Sequence, residues 1–216
     1  MGTLQTRLFK LGRKLADVEA FDAVGQNNLV TSIEEEDGTL AMYSTHLKGD
    51  PAQLFVFEVY ASEEAYQTHA SSAQFKAYVE MASTSLTNRE VISVAPELML
   101  EKEGLLEILD GSCAPRCCFV TILEERLEAF REAVFKNMRV SIEQEPGVLV
   151  LYATSLVDDP LRWIFWEVYA SEEAYATHRE TDHFKTYIEA TRDDLSAKEL
   201  IELSADCVVS KGSLHG

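Results

Sequence analysis

The stretch EVYASEEAYATHRETDHFKTYIE at residues 167–189 has a second version earlier in the chain, EVYASEEAYQTHASSAQFKAYVE at residues 58–80. Sliding the sequence on itself by 109 residues aligns the two without a gap. About 33 identities fall in the 81 positions from Leu15 to Ala95. Glu19-Ala20-Phe21 meets Glu128-Ala129-Phe130, Asp50-Pro51 meets Asp159-Pro160, and Glu58 through Tyr66 meets Glu167 through Tyr175 unchanged. Self-similarity of this kind marks a duplicated domain, so any fold the chain adopts must be one that is written twice. A chain of 216 residues has room for two domains that each bury a modest core. The expected division is an N-terminal repeat at residues 1–103, a linker at 104–116 and a C-terminal repeat at 117–216.

The second copy shows the element order. CCFVTIL (117–123) is an apolar run of strand length, and Leu127, Phe130, Val134 and Met138 form a helical stripe within residues 124–141. Glu145-Pro146-Gly147 ends that helix and turns the chain. VLVLYATS (148–155) and RWIFWEVY (162–169) are strands joined by a turn at Asp158-Asp159-Pro160. Ser171 is a natural N-cap with Glu172 and Glu173 in the first turn behind it. Thr181 caps a second helix expected to carry Phe184, Tyr187, Ile188 and Leu195, and residues 206–210 form a last strand matched by 97–101 in the first copy. The order β-α-β-β-α-β predicts an α+β protein of two ferredoxin-like repeats. With both copies in one chain, the expectation is an intramolecular dimeric α/β barrel. The partly apolar linker is expected to pack.

Composition excludes several classes of partner. A net charge of −18 opposes binding to nucleic acid or to an anionic membrane surface. No apolar run reaches membrane-spanning length, and the N-terminus lacks the apolar core of a secretory signal, so a cytoplasmic location is expected. Cys113, Cys117, Cys118 and Cys207 have no zinc-site spacing and read as buried reduced thiols.

Chemistry-bearing residues cluster after the third strand. Alternation puts Trp163, Phe165, Glu167 and Tyr169 on one face and Ile164, Trp166 and Val168 on the other. Glu167, and Glu58 in the first copy, therefore lie among apolar groups, where a carboxylate needs a partner or has its pKa raised. Tyr175, His178, His183 and Tyr187 on the following helices are the candidate partners. Imidazoles beside a carboxylate and phenols suit proton transfer on a phenolic or enolic substrate. A bland reading stands beside this one: Glu and His satisfy each other and tie helix to sheet. Too few ligands at too loose a spacing argue against a metal site, and no nucleophile motif is present. The first copy keeps His69 but has Ser72 and Gln74 where the second has Thr181 and His183. Gln74 cannot take up a proton, so the C-terminal copy is expected to hold the working pocket.

The strand ending E-x-Y, the start SEEAY and the run H-x-E-T-x-H-F-x-x-Y resemble the antibiotic biosynthesis monooxygenase domain. Glu167, Tyr169, Tyr175, His178, Thr181, His183, Phe184 and Tyr187 carry the likeness, which extends over both copies. The resemblance implies the ferredoxin-like fold and a small-molecule enzyme. Some members oxidise quinol-like or polyhydroxylated aromatics with O2 and no cofactor, others rework an enolisable signal molecule, and others degrade haem. Haem is not expected here, because Lys185-Thr186-Tyr187-Ile188 and Lys76-Ala77-Tyr78-Val79 lack the ligand histidine of the haem-degrading relatives. The expected function is therefore a cofactor-independent monooxygenase. His178, His183 and Glu167 would be catalytic, and Tyr169, Tyr175, Tyr187, Trp163, Phe165, His69 and Glu58 would bind substrate. The alternatives are an isomerase or degrading enzyme for a small enolisable signal and a ligand-binding protein without turnover. The chain could further form a homodimer.

Overall fold

The computed structural model describes residues 4–216. In the N-terminal repeat, β1 (Gln5–Arg13) leads through a 3-10 turn into α1 (Val18–Glu35). The hairpin β2 (Thr39–Leu47) and β3 (Asp50–Tyr60) follows, then α2 (Glu63–Ser71), α3 (Ala73–Ser85) and β4 (Leu86–Glu101). After the short β5 (Leu106–Ile108), the C-terminal repeat gives β6 (Ala114–Ile122), α4 (Leu127–Gln144), β7 (Val148–Leu156) and β8 (Asp159–Tyr169). It closes with α5 (Glu172–Glu180), α6 (Asp182–Ala190) and β9 (Leu195–Ser210). The α+β class and both ferredoxin-like repeats are thus present. Strands run antiparallel in the order β4-β1-β3-β2 in one repeat and β9-β6-β8-β7 in the other.

Local chemistry explains the elements. The long helices bury one stripe, with Phe21, Leu29 and Ile33 on α1 and Phe130, Val134 and Met138 on α4. Asp50 and Asp159 each accept a backbone N–H two residues on, which tightens the β2–β3 and β7–β8 turns. Ser62 and Ser171 cap α2 and α5 by accepting the N–H of Ala65 and Ala174, both at 3.2 Å. Ser72 and Thr181 cap α3 and α6 in the same way. One expectation fails: α6 stops at Ala190, and Leu195 opens β9 instead of continuing the helix. Thr191 ends the helix, its N–H and hydroxyl both directed to the Tyr187 carbonyl, and Asp194 pairs with Arg126 at 2.5 Å.

The compact units differ from the two sequence halves. The first takes the chain through Val94, residues 103–111 and Leu203–Ser213, and the second takes Ala95–Lys102, Ser112–Glu202 and Leu214–Gly216. Each repeat therefore gives the end of its last strand to the other unit. In the first unit, residues 203–210 of β9 pair with β2, and β5 pairs with 208–210, so part of the linker packs. In the second, Leu98 and Leu100 join the core of Phe130, Val134, Met138, Trp163, Phe165 and Tyr169. All four cysteines are buried, and none of them forms a disulfide. Among the described residues no helix is long and apolar enough to cross a membrane.

Candidate functional site

In the N-terminal repeat, alternation along paired strands puts Phe9, Leu11, Val56 and Glu58 on one sheet face. Register sets Arg7 opposite Glu58 and Phe9 opposite Val56. These residues floor a cavity of about 590 Å³, which α3 walls with Phe75, Tyr78, Val79, Ala82 and Ser83 and the start of β4 rims with Asn88 and Arg89. Glu58 is buried and accepts the hydroxyl of Tyr60 at 2.8 Å. Burial pushes its carboxyl above the usual value of 4.5, opposed by the nearby His69, the Tyr60 hydrogen bond, Arg7 and Arg89. Arg7 stacks on Tyr66, its guanidinium carbon 3.4 Å from the ring centroid. An apolar, aromatic chamber with one carboxyl of raised pKa at its floor can bind a planar organic molecule and accept a proton from it.

The equivalent face of the C-terminal repeat is nearly closed. Cys118, Val120, Phe165, Glu167, Tyr187, Ile188 and Lys198 line a space of only about 60 Å³. Phe165 stands where the first repeat has Val56, and Ile188 where it has Val79. The cavity wall built by Ala82 and Ser83 has no helical counterpart, because α6 has nine residues and α3 thirteen. The open chamber thus lies in the N-terminal repeat, and not in the C-terminal copy that was expected to hold the working pocket.

The sequence-predicted residues divide accordingly. Glu167 accepts the Tyr169 hydroxyl at 2.8 Å, as Glu58 does from Tyr60, and burial raises its pKa too. Tyr175 lies against Tyr169 and under Arg116. Tyr187 packs edge-on to Phe184. Trp163 is fully buried against Phe130 and Phe135, with its indole N–H given to the Pro160 carbonyl, so it is core. Phe165 joins the same cluster.

His178 and His183 come together, but Glu167 does not orient either of them. Their partner is Glu145, whose Oε1 lies 2.9 Å from His178 Nδ1 and 2.8 Å from His183 Nε2. The first repeat repeats the pattern around Glu36, which contacts His69 Nδ1 at 3.2 Å and accepts the Gln74 amide at 2.8 Å. The sequence pattern alone did not mark Glu36, and it marked Glu145 only as part of the turn that ends α4. Their one available signal was their identity in the two copies.

The family model for antibiotic biosynthesis monooxygenases matches residues 16–81 and again 118–190. The chain belongs to this family. Of solved structures, a Lactobacillus acidophilus protein provisionally named a monooxygenase shares 28% identity over 97% of each chain with a TM-score of 0.91. A Fusobacterium nucleatum protein, also provisionally named a monooxygenase, shares the fold at 18% identity and a TM-score of 0.89, over 99% of this chain and 97% of its own. An anthrone oxidase-like protein shares the fold more distantly, at 10% identity and a TM-score of 0.57 over 93% of this chain and 91% of its own. No curated protein matches.

Proposed function

We propose that this protein is a monooxygenase that oxidises a quinol-like or polyhydroxylated aromatic molecule in the N-terminal chamber without a cofactor. The carrying observation is the cavity of about 590 Å³ with Glu58 in its floor. Family membership and the name given to the Lactobacillus acidophilus relative support the reaction class. Phe9, Val56, Phe75 and Tyr78 would sandwich the ring. Glu58, with a pKa moved towards neutrality, would take the phenolic proton. The resulting anion would pass one electron to O2, and recombination at a ring carbon that bears hydrogen would give a peroxide anion. Glu58 would return its proton to make the hydroperoxide. Loss of the hydrogen on that carbon as a proton, with cleavage of the O–O bond, would leave one oxygen on the ring as a quinone carbonyl, and the other would depart with both protons as water. An apolar, aromatic lining suits this step, because water would hydrate the anion and blunt its reducing power.

The test is oxygen uptake by chelator-stripped protein against a panel of hydroquinones and polyhydroxylated aromatics. Val56→Phe is run alongside, since it installs the residue of the C-terminal repeat. Substrate-dependent uptake in the wild type that V56F abolishes is the expected result. Uptake unaffected by V56F would move the site out of this chamber. Turnover of a panel member under strict anaerobiosis would contradict the oxygenase reading.

A further inference from the structure

Three donors in the C-terminal repeat converge at a point the chamber chemistry does not use. Glu145 lies in the turn after α4, His178 in the last turn of α5 and His183 in the first turn of α6. The candidate ligand atoms of all three fall within 4.8 Å of one another. His183 Nε2 is also 3.2 Å from both Ser141 Oγ and Thr181 Oγ1. One ring nitrogen offers a single hydrogen or a single lone pair. Here it faces three oxygens, while a second imidazole shares its carboxylate oxygen. His183 also forms part of the wall of a groove of about 500 Å³ between α4 and α6, with Lys136, Asn137, Asp182 and Tyr187. The cluster is therefore reachable from outside.

We propose that Glu145, His178 and His183 bind one divalent transition-metal ion. Two imidazoles and a carboxylate form a donor set suited to zinc and its first-row neighbours, not to calcium or magnesium, which favour all-oxygen shells. Tetrahedral ligands at about 2.0–2.1 Å from zinc stand about 3.3 Å apart, so the 2.8 and 2.9 Å separations need to open by only about half an ångström. The remaining positions take water or a small ligand from the groove. Spacing in the sequence argues against a metal site because it shows two histidines without the carboxylate.

The first repeat supplies the control. Gln74 Nε2 makes the contacts of His183 Nε2, at 2.8 Å to Glu36 and 3.2 Å to Ser32. It lacks the ring lone pair that would ligate an ion. H183Q therefore copies an arrangement this fold already accommodates while removing one ligand. Stripped, untagged full-length protein is titrated with Co2+ and Zn2+, following cobalt absorption and competition with a chromogenic chelator. The expected result is one ion per chain, with affinity at least about 100-fold weaker in H183Q and metal raising Tm in the wild type alone. Equal binding by wild type and H183Q, or no uptake by the wild type at micromolar metal, would overturn the proposal. A Tm of metal-free H183Q close to wild type confirms that a loss of binding comes from the lost ligand and not from unfolding.

Discussion

Glu58 and Tyr60 form the smallest unit on which the proposed chemistry depends. Burial raises the carboxyl and the Tyr60 hydrogen bond pulls it back down. The base must be ionised, so kcat/KM should rise with pH along a limb that lies above 4.5. Tyr60→Phe removes a lowering influence and should move that limb to higher pH, as read from a pH–rate profile. A limb that stays in place would show that another group titrates. Burial raises the Glu167 carboxyl in the same direction, and the sign gives a stability prediction. Below 4.5 folded and unfolded chains are both protonated. Above it the unfolded chain releases its proton first, so stability falls until pH passes the folded value. Glu167→Gln should therefore gain on the wild type as pH rises through that window, measured by urea unfolding at a series of pH values. Strand alternation made both glutamates legible in the sequence. Glu145 was not legible, because its histidines lie 33 and 38 residues away and spacing says nothing about such a contact.

At the scale of elements, the turn carrying Glu145 is held by a close approach. A Cβ on Gly147 would meet the Ala174 Cβ at 2.6 Å, and one on Gly38 would meet Ala65 at 2.4 Å. In both repeats a glycine thus lets the turn sit against the start of the helix that carries the histidine. The Gly147→Ala variant should be destabilised by about 1–3 kcal/mol through overpacking. It should also weaken the metal binding proposed for Glu145, His178 and His183, as chelator competition would show. Wild-type stability in G147A would mean that the turn yields freely. Losing the Ser171 cap should cost about 1 kcal/mol on Ser171→Ala, by thermal or urea unfolding. Caps and turns could be read in the sequence because their chemistry is local. The end of α6 could not, since Leu195 continues the helical period and only the Thr191–Asp194 turn breaks it.

Across the whole chain, the duplication and the α+β class were legible because 109 residues of offset and a repeated element order are properties of sequence alone. The exchange of strand ends was not. β4 and β9 each run for 16 residues, and nothing in LTNREVISVAPELMLE marks where it leaves one unit for the other. The exchange has a consequence for fragments. Leu98 and Leu100 belong to the core of the second unit, and Glu101 accepts the Tyr152 hydroxyl. A fragment of residues 95–216 should unfold at distinctly higher urea than one of residues 112–216, which lacks all three. Equal midpoints would show that the segment adds nothing to that unit. The location of the chamber was also beyond the sequence. It depends on helix length and on Val56 standing where the other repeat has Phe165, whereas the histidine count favoured the other repeat.

The most direct measurement of the central claim compares Glu58→Gln with Glu167→Gln in oxygen uptake with one good panel substrate, using metal-stripped protein. Each carboxyl accepts a tyrosine hydroxyl from its own strand, so the comparison isolates the chamber. Loss of about 10²–10⁴-fold in kcat/KM for E58Q, with E167Q near wild type, is the predicted result. The opposite order, or equal losses, would contradict a substrate site in the N-terminal repeat.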